Sequence, residues 1–185
     1  EEKEIKQIKR RKEDKTIKSF TIPTQESIIG DIVNLSSLSI FKNNKLKKIK
    51  TNIKLRKNKH LLLSGPNGIG KSTLLELISR RKAEGVIISP DVRIGYYRQD
   101  FSTLNFNDTV FESLANTTRE VSGKVDEQAI RATVAGFLIT GDMVHTQIGS
   151  LSEGQKGLVA FAKLVLTRPG LLILDEPTNH INFTH

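Results

Sequence analysis

From Ser27 onward the hydrophobic positions follow two rhythms, one of period two and one with a helical repeat. Residues 28–35 and 38–41 read as strands, Asn43-Asn44 as a turn, and the alternation Ile49, Thr51, Ile53, Leu55 as another strand. The apolar triplet Leu61-Leu62-Leu63 predicts a strand over 60–64, and a helix follows from Lys71 to about Arg80. Short strands are expected at 86–89 and 93–97, around a Pro90-Asp91 turn. Then the helical repeat takes over. Asp108 is the expected N-cap of a helix over 109–115, and Asp126 of one over 127–139. A third helix is expected from Gly154 to about Thr167, stopped by Pro169-Gly170. Leu171 to Leu174 is wholly apolar and reads as a buried central strand. The pattern predicts an α/β core interrupted by a helical insert between roughly Phe101 and Ser150.

The segment ahead of this core is different. Residues 1–18 read as a polar helix whose only apolar points are Ile5, Ile8 and Ile17, too few to build a core. They suit a solvated helix end, a linker or half of a charged hairpin, with residues 21–25 as connector. The net charge of +9 is unevenly placed: residues 42–59 hold nine Lys or Arg and no acid. Residues 1–18 add eight more cations against five acids. Such a field attracts polyanions, nucleic acid or anionic membrane, although a Lys-rich surface also serves solubility alone. At 185 residues the chain suits one domain, with or without an appendage. The absence of cysteine excludes disulfides and thiolate metal sites. No apolar run reaches 18 residues, which excludes a transmembrane helix in this sequence, and the charged start does not resemble a signal peptide. Met143 is the only methionine, so the chain is expected to be a piece of a longer protein.

Two motifs carry chemistry. Gly65-Pro66-Asn67-Gly68-Ile69-Gly70-Lys71-Ser72 fits the phosphate-loop pattern, with an apolar run before it and a helix after it. Backbone N–H groups of the loop and of the helix N-terminus would converge on phosphate oxygens, and the helix dipole adds partial positive charge. Lys71 would reach the β- and γ-phosphates, and the Ser72 hydroxyl would coordinate Mg²⁺. The loop therefore predicts binding of a nucleoside triphosphate. About a hundred residues later, Leu171-Leu172-Ile173-Leu174 ends in Asp175-Glu176. A buried strand ends in two carboxylates only where something offsets their charge, here Mg²⁺ and a reacting water. Asp175 fits the metal side and Glu176 the general base that orients the attacking water.

A third segment, Leu151-Ser152-Glu153-Gly154-Gln155, resembles the signature L-S-G-G-Q of the ATP-binding cassette (ABC) ATPases, with Glu153 where that family usually has Gly. The resemblance implies a P-loop NTPase core of ABC type, with an N-terminal antiparallel β subdomain and a helical subdomain over about 101–168. It implies that Ser152, Gly154 and Gln155 clamp the γ-phosphate of ATP held by an opposite cassette. Gln99 matches the family's Q-loop glutamine, which contacts Mg²⁺ and the attacking water. Phe41 matches an aromatic that stacks on adenine, and Thr73 a contact to the α-phosphate. Thr178-Asn179-His180, after the two acids, resembles the ABC-F class, whose members carry two cassettes in one chain; Ile181-Asn182 departs from the usual Leu-Asp. By that likeness residues 1–26 form the end of the charged linker between cassettes, and 27–185 the second cassette, incomplete at its C-terminus. The family's switch His lies further along than His180 or His185.

The resemblance implies ATP hydrolysis with Mg²⁺ in the cytoplasm, by a protein that closes two cassettes over ATP and acts on the ribosome, near rRNA and tRNA, in translation or in ribosome protection. Turnover by this chain alone is expected to be negligible. Two other functions fit the same motifs: the ATP-binding subunit of a transporter, with a membrane permease as partner, and a low-turnover ATP-binding interaction module.

Overall fold

Two twelve-residue strands, β1 (Asp31–Lys42) and β2 (Lys45–Arg56), pair antiparallel from Asp31 opposite Arg56 to Lys42 opposite Lys45. The computed structural model of the protein describes residues 20–42 and 45–176. The expected helix over 1–18, the Asn43-Asn44 turn, and residues 177–185 with Thr178-Asn179-His180 lie outside the described residues. β1 joins the two expected strands into one. Its period-two pattern breaks at Ser36-Ser37, where the register with β2 shifts between Leu35 and Ser37, so a bulge absorbs the break and pairing continues. β3 (Val86–Ile88) flanks the other side of β1, also antiparallel, giving the order β2-β1-β3. Val33 and Leu35 of this sheet are buried with Ile88, with Leu74 and Ile78 from helix α1 (Lys71–Ser79), and with Ile173.

The strand expected over 60–64 does not form, and these residues belong to no ladder. Leu61 and Leu62 are exposed, Leu62 at 88 %. An apolar triplet supplies side chains suited to a strand, but the strand exists only where neighbouring N–H and C=O groups pair with it.

The second layer forms around β4 (Ile94–Arg98) and β5 (Leu171–Asp175), which run parallel with Ile94 opposite Leu171 and Arg98 opposite Asp175. A parallel pair needs a long crossover, and here it carries α2 (Val110–Ser122), α3 (Glu127–Gly136), α4 (Gly141–Val144) and α5 (Glu153–Thr167). α2 starts from Thr109 rather than Asp108. Thr109 and Glu112 form a reciprocal capping box, while the Asp108 carboxylate accepts from Asn105 Nδ2 at 2.7 Å. The helix runs on well past the expected end at residue 115, to Ser122, with Gly123 as its C-cap. α3 is capped by Asp126 as expected, but it ends at Gly136 instead of Ile139, because Leu138 turns left-handed at φ 55°. α4 has no counterpart in the expected elements; a Thr140 side chain caps its single turn. α5 is central, burying Val159, Ala160, Phe161, Ala162, Leu164 and Leu166, and the Phe161 ring stacks on Tyr97 at 4.9 Å.

Residues 20–25 tie the helical layer to the strands. Phe20 packs against Phe137 and Phe161, with centroids 4.9 and 5.2 Å away. Gln25 Nε2 donates to the Asp91 carbonyl at 2.7 Å, its Oε1 accepts from Arg93 N at 2.7 Å, and its own N–H donates to Pro169.

Candidate functional site

The phosphate loop turns on two glycines in the left-handed region, Gly68 (φ 80°) and Gly70 (φ 95°), a conformation that side chains with a Cβ resist. Gly70 is also the N-cap of α1. No side chain caps this helix end and no acid stands in its first turn. Its leading N–H groups and the positive end of its dipole therefore face the loop with no acid of the helix's own first turn to offset them. Asn67, Gly68, Gly70, Lys71, Ser72, Thr73 and Glu176 line a pocket of about 410 Å³ there. Gly65 and Pro66 contribute differently: their carbonyls accept from Lys71 Nζ at 2.7 and 3.1 Å, which folds the lysine over the loop.

The two motifs meet. Ser72 Oγ donates to Asp175 Oδ1 at 3.1 Å, joining the first turn of α1 to the end of β5. Asp175 is 8 % exposed, and a carboxylate so buried is costly unless its charge is offset. One hydroxyl and one buried carboxylate fit Mg²⁺, a hard cation that keeps several waters and takes only one or two protein oxygens beside its phosphate ligands. Among the described residues no cluster of three acids or histidines forms a separate metal site. Glu176 follows with φ 52°, a strained value for a side chain with a Cβ and a frequent mark of functional positions. It lines both the loop pocket and an adjoining cleft of about 380 Å³ bounded by Ser72, Arg98, Gln99, Asp100, Glu153 and Asp175.

Gln99 is thus brought beside Ser72, Asp175 and Glu176. Arg98, for which the sequence offered only its place next to Gln99, holds this edge together: it pairs with Glu76 of α1 at 3.2 Å and with Asp100 at 3.0 Å. Burial pushes the Asp100 carboxyl up, but hydrogen bonds from the Ser102 amide and hydroxyl and the Arg98 charge outweigh it and hold the group below the usual carboxylate range. Burial, and then the Asp175 charge, pushes the Tyr96 phenol up to about 12.

Ser152, Gly154 and Gln155 stand apart from the loop pocket. Ser152 caps α5 by accepting from Gln155 N, and Gln155 Oε1 accepts from Ser152 N, so the two residues satisfy each other. The Ser152 hydroxyl hydrogen is not used in that box and can donate elsewhere. Glu153, beside it, lines the Gln99 cleft. Phe41 lies in β1 opposite Leu46, and its side chain lies outside what is described.

The arrangement can hold a triphosphate at a helix N-terminus, bring a hydroxyl and a buried carboxylate to a divalent cation, and set a carboxylate beside both. The chain is similar to known proteins in sequence and in fold. The profile of the ABC transporter family matches residues 49–179. Protein GCN20 of Saccharomyces cerevisiae is 34 % identical over 93 % of this chain and 23 % of its own length. Elongation factor 3 of Candida glabrata is 34 % identical over 72 % of this chain and 12 % of its own length. The fold is similar to the ATP-binding cassette MJ0796, solved as a dimer in a post-hydrolysis state bound to ADP and Pi, with TM-score 0.58 and 21 % identity over 81 % of this chain and 76 % of that one. The chain spans about a quarter or less of the curated relatives it matches.

Proposed function

This chain belongs to the ABC transporter family through its ATP-binding cassette, and on that premise we propose that it is one cassette of a two-cassette ATPase of the ABC-F class that acts on the ribosome. The observation that carries the ATPase reading is the Ser72–Asp175 hydrogen bond with Glu176 beside it, because it joins the phosphate loop to the acids of β5. Loop N–H groups and Lys71 hold the triphosphate, and Thr73 contributes from the first turn. Ser72, Asp175 and Gln99 would hold Mg²⁺, which when bound supplies charge neutralisation at the β- and γ-oxygens. Glu176 accepts a proton from the attacking water and aims it at the γ-phosphorus; Gln99 helps to position that water. Ser152 and the N-terminus of α5 act on ATP held by the other cassette.

Three features support the ribosomal setting. A relative carries the name elongation factor, the Thr178-Asn179-His180 sequence resembles the ABC-F class, and β2 is strongly basic. The test uses the full-length protein with Glu176→Gln, which keeps the site's shape but cannot accept the proton. With ATP at physiological salt it should cosediment with ribosomes several-fold more than a Lys71→Ala control. Equal recovery of the two proteins would refute the ribosomal reading.

One observation favours the transporter reading. Pro23, Thr118, Val121, Ala129, Ala132 and Val165 line part of a groove of about 430 Å³ among the helices, the kind of surface a permease helix would need. Copurification with a membrane protein, lost when Val121→Glu blocks the groove, would decide for it.

A further inference from the structure

We propose that strand β2 is a docking edge for an RNA backbone. β2 is the outer strand of the order β2-β1-β3, so one of its sides carries backbone N–H and C=O groups that no ladder among the described residues uses. Lys45, Lys47, Lys48, Lys50, Lys54 and Arg56 lie in it, and Lys57 and Lys59 follow. Among the described residues two acids reach this set. Asp31 pairs with Arg56 at 2.8 Å and with Lys54 at 3.7 Å, and Glu84 pairs with Lys48. The arginine next to Asp31 holds its carboxyl below the usual carboxylate range. Lys45, Lys47, Lys50, Lys57 and Lys59 are exposed and form no ion pair among the described residues.

A lysine or two would suffice to keep this edge from pairing with another sheet. Five cations unpaired among the described residues within 15 positions exceed that need, and an anionic partner would relieve their mutual repulsion beyond what salt screening does. The distribution favours a linear partner over a flat one. Side chains alternate along a strand, so Lys45 and Lys47 project to one face of β2 while Lys48 and Lys50 project to the other. Charge on both faces rims an edge, which a phosphodiester chain can follow over the roughly 36 Å that eleven residue steps of strand span. A planar lipid headgroup surface would meet only one face.

The inference names a surface for the ribosomal partner proposed above and so rests on that reading for its setting, but an isolated RNA tests it separately. The measurement is fluorescence anisotropy of a labelled single-stranded RNA oligonucleotide with the full-length protein, across a salt series. Replacing Lys45, Lys47, Lys50 and Lys57 with Gln should weaken binding at least ten-fold near 0.1 M salt. It should also reduce the slope of log K against log[salt] by about 3, at about 0.7 per lost phosphate contact on a single strand. Glu84→Gln, which frees Lys48, should do the reverse and steepen the slope by about 0.7. ATP affinity reports that the fold is intact in each variant, since none of these residues lines the loop pocket. Unchanged RNA affinity in the quadruple variant overturns the proposal, as does binding to phosphatidylserine vesicles with none to RNA. If the quadruple variant loses RNA while the Glu176→Gln protein fails to cosediment with ribosomes, the edge stands and the ribosomal reading falls. If ribosome binding holds but RNA affinity is unmoved, the edge falls alone.

Discussion

Gly85 and Gly68 have nearly the same backbone, φ +76° and +80°, yet they differ in what surrounds them. A Cβ on Gly68 would meet nothing within 4 Å, whereas one on Gly85 would lie 2.0 Å from Ser37 Oγ and 2.9 Å from the Ser37 carbonyl oxygen. The Gly85 carbonyl also accepts from the amides of both Ser36 and Ser37 where the register of β1 with β2 shifts, so the backbone there cannot retreat without losing them. Gly68→Ala should therefore cost about 1–2 kcal/mol, the left-handed penalty alone, while Gly85→Ala should add overpacking of about 1–3 kcal/mol. Chemical denaturation should show the larger loss at Gly85, and nucleotide titration should show the larger affinity loss at Gly68. At this scale the residues that line the loop pocket were legible, because a glycine loop leading into a helix N-terminus demands a fixed local spacing. Arg81 and Arg93 were not. In the sequence they are two more positive charges, but in the fold Arg81 donates to the carbonyls of Ile88, Ser89, Pro90 and Val92, and Arg93 to those of Thr167 and Arg168. No local pattern announces an arginine used on distant backbone.

The start of α2 ties an element to pH. Glu112 accepts from the backbone N–H of Thr109 at 2.7 Å and from its hydroxyl at 2.9 Å, and these bonds hold its carboxyl below the usual range. In the pH window between its folded and unfolded values the unfolded chain binds more protons, so stability rises with pH there. The contribution is complete above the usual carboxylate range and is lost as pH falls through the lowered folded value. Asp31 and Asp100 shift in the same direction and add to the same acid limb. Glu112→Gln keeps an acceptor but removes the titration. Its Tm should lie below that of the unaltered protein at neutral pH, and the gap should close as pH drops; a gap constant across the series would show that the capping box does not titrate. Helix positions were readable because caps and periodicity are local, although Thr109 rather than Asp108 took the cap once Asn105 had claimed the Asp108 carboxylate. The strand over 60–64 was misread for the opposite reason. Strand formation depends on a neighbour, and Leu61 to Leu63 advertise apolarity without saying which edge, if any, they meet.

Across the whole molecule, the proposed composite site assigns the phosphate loop and the signature serine to different nucleotides. Seven residues line the loop pocket, and Ser152, Gly154 and Gln155 are not among them. Of the signature only Glu153 reaches the adjoining cleft beside Ser72 and Glu176, so the proposed composite site, in which Ser152 acts on ATP held by another cassette, separates two kinds of substitution. Lys71→Ala removes a charged donor from the triphosphate, a loss of about 1.5–3 kcal/mol, and should weaken nucleotide binding at this cassette's own loop. A change at Ser152 should leave that binding alone and reduce turnover at the partner loop. Ser152→Ala is a poor choice because it also removes the α5 cap, at about 1 kcal/mol. Ser152→Asp keeps the cap, since a carboxylate accepts from Gln155 N as the hydroxyl does, and sets a negative charge against the partner's γ-phosphate. In the full-length protein it should cut steady-state ATP hydrolysis at least ten-fold with no change in Tm. Binding of a fluorescent ATP analogue to a version whose other phosphate loop has been disabled should be unaltered. Loss of that binding on Ser152→Asp would mean the signature serves its own loop, and the composite site would then be wrong.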